Sequence, residues 1–206
     1  MSQSAILFIV SAPSGAGKTS LLRELVPGDP RLVMSVSHTT RAMRPGEQDG
    51  VHYHFVDLAR FEALVEEGAF LEQAQVFDNY YGTAEAAVRT QLEGGLDVVL
   101  EIDWQGARQV RRRFPEAVSV FIVPPDIEAL RGRLSGRGQD AAEVVERRMA
   151  DARSELSHYP EYDYLVVNDD FDQALAALAA ILDATAQRRE VQSLRHAALL
   201  AELVAR

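Results

Sequence analysis

The sequence predicts an α/β fold with a mostly parallel central sheet, and three features predict it. Short apolar runs alternate with longer stretches of helical period along the 206 residues, the pattern of strand–helix–strand units. The first apolar run passes directly into a glycine-rich turn and then a helical stretch. The length suits one large domain, or a core with one or two small inserts, and 47% apolar residues are enough to fill such a core.

Residues 5–11 (AILFIVS) read as a strand buried on both faces, because an unbroken apolar run leaves no face for water. A helix is expected from Lys18 to about Val26, ended by Pro27, Gly28 and Pro30. Residues 96–102 (LDVVLEI), 117–123 (AVSVFIV) and 163–167 (DYLVV) read as further buried strands. Helices at 84–94, 104–113, 126–135 and 141–157 are the expected crossovers between them. Residues 35–83 differ. They hold short alternating pieces (VHYHFVD, FLEQAQVF, NYYGT), several glycines and most of the Tyr and His, and read as a small, largely β insert on a core of residues 1–34 and 84–206. Residues 136–141 (GRGQDA) form a polar break between two helical stretches, a candidate mobile loop. The tail from 170 is Ala- and Leu-rich with helical spacing. Its stripe Leu194, Ala198, Leu199 and Leu203 suits packing on the core or on a second copy of the chain.

Composition removes several function classes. A 25% charged chain is not a disordered one, and the absence of cysteine excludes disulfide scaffolds, cysteine-ligated metals and thiol catalysis. A net charge of −10, from 31 acidic and 21 basic residues, speaks against a general nucleic-acid binder. It does not exclude phosphate ligands, since a local cluster of arginines overrides the global balance. The apolar run at 5–10 is far too short to span a bilayer and carries no secretory design, so no membrane association and a cytoplasmic location are expected.

The strongest motif is Ala12-Pro13-Ser14-Gly15-Ala16-Gly17-Lys18-Thr19, which matches G-x-x-x-x-G-K-[ST] except that Ala12 replaces the first glycine. Its context, strand before and helix after, is the one the motif requires. Gly15 and Gly17 let the backbone turn so that successive N–H groups face one concavity, and the helix adds its positive end. Lys18 is placed to reach β- and γ-phosphates, and the Thr19 hydroxyl to ligate Mg²⁺.

Other segments carry two readings. Arg41 and Arg44, beside Pro45-Gly46 and with Tyr53 following, suit a cage for a phosphate dianion or a solvated basic turn. Glu101 and Asp103 end an apolar strand at the edge that faces the ligand crevice in a parallel sheet, as ligands of Mg²⁺ or its waters. Asp103 is equally suited to cap the next helix. Arg133 and Arg137 flank a glycine break, followed by Arg148, and read as a lid over transferring phosphates or as helix C-caps. The arginines at 108 and 111–113 read as a solvated face. The five histidines show no metal spacing.

Taken together, SAPSGAGKTSL, SVSHTTRAMRPGEQDGVHYHFV, NYYGT, EIDWQGARQV, GRLSGRG and VVNDD, in this order, closely resemble the bacterial type of guanylate kinase over nearly the whole chain. The resemblance implies a P-loop three-layer core, a GMP-binding insert at 35–83 and a lid near 136–148. It implies transfer of the ATP γ-phosphoryl to GMP with Mg²⁺, giving ADP and GDP. Arg41, Arg44, Tyr53 and Tyr81 would hold the GMP phosphate. Ser37, Glu72, Thr83 and Asp103 would surround guanine, with Glu101 near the base or the metal. Residues 12–20, including Ser20, together with Asn168, would hold ATP, and Arg133, Arg137 and Arg148 would serve the transfer. Ala12 and Met43, the latter where such enzymes often have proline, are departures that remove no charged or hydrogen-bonding group. Guanine offers N1–H and an amino group, so a buried Glu72 or Asp103 would accept from it and repel adenine, a rejection of up to about 10⁴-fold. The rivals are a kinase with another acceptor, a binding module of the same fold, and a nucleic-acid-binding P-loop ATPase.

Overall fold

The structure, a computed structural model, describes residues 4–76, 78–135 and 142–205. Its central sheet has five parallel strands in the order β2-β7-β1-β8-β9. They are β1 (Leu7–Ser11), β2 (Leu32–Met34), β7 (Asp97–Glu101), β8 (Val118–Val123) and β9 (Tyr164–Val167). Every residue of β1 is buried, and the period of two explains the unbroken apolar run. Phe8 and Val10 join Val99, Val120 and Ile122 on one face, under α1 (Lys18–Gly28) and α7 (Phe171–Ala186), which add Leu21, Leu22 and Leu178. Leu7 and Ile9 join Val98 and Leu100 on the other, under α3 (Glu85–Glu93) and α4 (Trp104–Arg113), which add Val88, Leu92 and Val110.

A second sheet, order β4-β3-β6-β5, comprises β3 (His38–Thr39), β4 (His54–Phe55), β5 (Phe70–Val76) and β6 (Asn79–Ala84). It is mixed: β3 and β4 run parallel, while β6 is antiparallel to both β3 and β5. The sequence reading of this region as largely β misses α2 (Leu58–Glu66), which Asp57 caps by accepting the Arg60 N–H at 2.8 Å. Its Phe61 packs on Phe70 with ring centroids 4.8 Å apart. The three-residue edge strand β2 also escapes sequence reading, being too short to show a period. Helix α1 continues through Pro27 to Gly28, two residues beyond its expected end. A proline in the last turn still has helical φ; it only removes one N–H donor.

The small sheet is fastened over the end of the large one by α4. Gln109 donates to the Gln73 carbonyl at 2.7 Å and accepts from the Gln73 N–H at 3.2 Å. Arg113 donates to the carbonyls of Phe70 and Leu71. Arg108 and Arg111 pair with Glu161, whose carboxyl is held down at about 2 by Arg108, aided by His158. Three of the four arginines read as a solvated face are therefore structural ties.

Beyond the sheet, α5 (Ile127–Ser135) and α6 (Ala142–Leu156) pack through Leu130, Leu134, Val145 and Met149. Of the expected lid, residues 136–141, Arg137 among them, lie outside the described residues. The tail forms α8 (Arg189–Arg195) and α9 (Ala197–Val204). α9 buries no residue and leaves Leu199, Leu200 and Leu203 exposed, so in the described chain its stripe does not pack on the core. Among the described residues no helix is long and apolar enough to cross a membrane.

Candidate active site

The site lies at the C-terminal ends of β1 and β7, where a parallel sheet opens its ligand crevice. Residues 12–17 turn from β1 into α1, with Gly15 at φ 87° and Gly17 at φ 93°, left-handed values that side chains resist. Gly17 has a second reason to lack a side chain, because a Cβ there would run into the Asn168 amide. That amide is 5% exposed and donates to the Ala16 carbonyl at 2.7 Å. Asn168, expected near adenine, braces the phosphate loop through this bond, and Arg133 in turn donates to the Asn168 carbonyl at 2.9 Å. Lys18 reaches across the crevice to the Ile102 carbonyl at 3.3 Å. The Thr19 hydroxyl donates to the Glu101 carboxylate.

A cleft of about 610 Å³ runs from this loop to the second sheet, and it is lined at one end by Lys18 and Arg148 and at the other by Tyr53, Glu72 and Tyr81. An adjoining one of about 590 Å³ is lined by Ser37, Arg41, Arg44, Glu47 and Tyr53. Together they bring Ser37, Arg41, Arg44, Tyr53, Glu72 and Tyr81 of the β insert to one crevice with the phosphate loop, while the fully buried Thr83 and Ala16 line neither cavity.

Glu72 is the deepest carboxylate of the cleft, 3% exposed on β5. Its Oε1 accepts the Thr83 hydroxyl at 2.6 Å, and the Ser37 and Thr83 oxygens are 3.1 Å apart. The Thr83 hydroxyl hydrogen points to Glu72, so Ser37 is the donor in that second contact. Burial pushes the Glu72 carboxyl up to about 7, with Asp103 adding to the rise and the Thr83 hydroxyl opposing it. The other oxygen, Oε2, lies against the first turn of α4, where a Cβ on Gly106 would collide with it.

Asp103 takes the capping role and also faces the cleft. One oxygen caps α4 by accepting the Gly106 N–H at 2.8 Å, the other accepts Gln105 Nε2 at 3.0 Å, and the residue still lines the cleft. Glu101 and Asp103 do not extend one strand: β7 stops at Glu101, and Asp103 begins the helix. Arg41 is not a free cation. Glu47 takes both of its terminal nitrogens, at 2.8 and 3.1 Å, and also the Arg44 N–H at 2.7 Å. Arg41 holds the Glu47 carboxyl down at about 2. Tyr53 lies under the Arg41 guanidinium, 5.5 Å away, and its ring is 6.0 Å from Tyr81. Burial pushes the Tyr53 phenol up to about 12, so it stays a donor at any working pH.

Sequence reasoning missed three residues here. Glu47 follows Arg41 by six positions in a loop, a spacing without period. Gly106 is a glycine inside a helix, and that cost is a legible signal of close approach. Glu155 accepts the Ser14 N–H at 3.0 Å. It falls two helical turns after Arg148, so the two share one face of α6.

A strand, a glycine turn, a lysine at the head of the following helix and an acidic residue at the neighbouring strand end define a P-loop nucleotide-binding protein. A family profile described as guanylate kinase matches residues 4–185. The guanylate kinase of Chromohalobacter salexigens is 59% identical over 200 residues, 97% of this chain and 93% of that protein. That of Alkalilimnicola ehrlichii is 63% identical over 186 residues, 90% of this chain and 92% of that protein. The crystal structure of guanylate kinase from Anaplasma phagocytophilum matches with a TM-score of 0.74 at 34% identity, covering 92% of this chain and 90% of that one. The chain belongs to the guanylate kinase family.

Proposed function

We infer that the cleft takes ATP on the phosphate loop and GMP under the second sheet, and that the γ-phosphoryl passes between them. The enzyme transfers that group to GMP and releases ADP and GDP. The observation that carries the site assignment is the meeting of two sets of groups in one cleft: an anion-binding loop with Lys18, and a buried carboxylate backed by a hydroxyl chain.

Residues 12–20 hold the polyphosphate through backbone N–H groups and Lys18. Asn168 is better read as a brace for this loop than as an adenine contact. The Thr19 hydroxyl and the Glu101 carboxylate are adjacent hard oxygen donors and fit Mg²⁺; they would hold it, and it would supply charge neutralisation for the phosphates. Arg41, Arg44, Tyr53 and Tyr81 hold the GMP phosphate, Arg41 by exchanging Glu47 for it. Glu72, Asp103, Ser37 and Thr83 read the guanine edge.

A GMP phosphate oxygen attacks the γ-phosphorus while the bond to the β–γ bridging oxygen breaks, and ADP leaves with that electron pair. The acceptor is already an oxyanion, so no general base is required. The chain's work is to hold two polyanions in line and offset their repulsion, with Lys18, Arg133, Arg137 and Arg148 on the donor side and Arg41 and Arg44 on the acceptor side. We assign residues 35–83 to acceptor binding and residues 136–148 to a lid. The same reading places the enzyme in the cytoplasm with its substrates.

The test is ADP formation from ATP and Mg²⁺ with GMP, AMP, UMP, CMP or no acceptor in parallel. GMP-dependent turnover is expected, with AMP weaker by about 10⁴-fold. Lys18→Ala should abolish it in a protein that still melts cooperatively; an active Lys18→Ala enzyme sinks the assignment of the loop.

A further inference from the structure

Glu155, in the last turn of α6, takes no part in the chemistry above, yet it lines the same cleft as Lys18, Arg133 and Arg148. Its Oε2 accepts the N–H of Ser14, a donor of the phosphate loop itself. Burial pushes its carboxyl up, the Ser14 N–H and Lys18 pull it down, and Asp103 and Asp151 push it up again. A carboxylate in that position resembles a phosphate oxygen in both respects that matter to the loop: it is anionic and it accepts from backbone N–H.

We propose that Glu155 is a resident anion of the phosphate loop, a positioning residue that competes with the terminal phosphate of ATP for the Ser14 N–H. Ser14 lies four residues before Lys18, and Glu155 lines the cleft together with Lys18, Arg133 and Arg148. Lys18 serves the β- and γ-phosphates and Arg133 and Arg148 the transferring group, so the γ-phosphate is the one that meets Glu155. ATP therefore displaces this carboxylate on binding, whereas ADP leaves it in place. Glu155 thus lowers the affinity for ATP while leaving that for ADP nearly untouched.

This inference rests on the assignment of the loop to ATP. The test is calorimetric binding of Mg²⁺ complexes of a non-hydrolysable ATP analogue and of ADP, and of GMP separately, to the wild type, Glu155→Gln and Glu155→Ala. Removing one negative charge from beside the γ-phosphate should tighten the ATP analogue by about tenfold in both variants. ADP and GMP should stay within about twofold. A merely structural role would weaken both nucleotides together. Unchanged or weaker analogue binding, or equal changes for the analogue and ADP, overturns the proposal. So does failure of both variants to melt cooperatively, which would make Glu155 a folding residue. If instead the wild type binds no analogue, or Lys18→Ala binds it equally well, the loop assignment itself falls, and the proposal with it.

Discussion

Replacing Glu72 with glutamine keeps its shape and its acceptor for Thr83 while removing its charge. In the wild type the carboxyl is held near 7 rather than 4.5, so its ionised form costs about 3 kcal/mol in the folded chain. Folded protein holds this proton more tightly than unfolded protein. The stability it contributes is complete below about pH 4.5 and is lost as pH rises through about 7. Glutamine does not titrate. The melting temperature of Glu72→Gln minus that of the wild type should therefore grow between pH 5 and 8, by up to about 6–12 °C for a chain of this size. Guanine reverses the preference, because its N1–H and amino group favour the carboxylate. The wild-type KM for GMP should rise as pH falls below 7, by up to tenfold per unit, beyond the rise shared with the variant from titration of the GMP phosphate near 6. The variant should also lose about 10²–10⁴ in kcat/KM for GMP, the worth of two hydrogen bonds to a charged acceptor. Melting curves and GMP kinetics at several pH values measure all three. A melting gap independent of pH refutes the raised carboxyl, and a GMP KM within threefold of wild type refutes its role as the guanine acceptor.

Gly106→Ala sets a methyl group against Glu72 Oε2 and should raise the GMP KM by about tenfold while leaving the ATP KM unchanged; equal KM values in a folded variant remove the link between α4 and the base pocket. Asn168→Ala frees the Ala16 carbonyl and should destabilise by about 1–3 kcal/mol with a raised ATP KM, read from melting and from ATP titration. Asp97, 2% exposed, accepts the Ile6 N–H and pairs with Arg195 on α8. Among the described residues, Asp97→Ala leaves that arginine only the Ser4 carbonyl and unpairs the Ile6 N–H, and should cost about 3–5 kcal/mol, with activity near wild type well below the new melting temperature. Loss of activity without loss of stability would place Asp97 in the site after all.

The core was legible because its signals are local. β1, β7 and β8 are apolar runs with no solvent face, α4 begins at a capping aspartate, and the phosphate loop is a spacing within eight residues; β9, expected to be buried as well, lies at the sheet edge and buries only Val166, leaving Leu165 and Val167 exposed. Those facts depend on side-chain chemistry within one or two turns, which a linear reading contains. The site residues were recognised as an ordered set of segments, and no periodicity would have revealed guanine. Helix α2 was overlooked although Asp57, Phe61 and Leu64 carry its signal, because the neighbouring β pieces set the reading of the whole insert.

By itself the sequence determined the parallel sheet, the anion loop and the candidate charged groups. The tertiary structure alone decided how those groups are spent. Arg41 is held by Glu47, Asn168, expected near adenine, by the Ala16 carbonyl of the phosphate loop, and Ser14 by Glu155 from 141 positions away along the chain. Glu72 rises to about 7 only because β5 is pressed beneath α4, with Gly106 leaving it room. Partnership and burial depend on which distant segments meet, and that distance is the one quantity no local pattern of residues encodes.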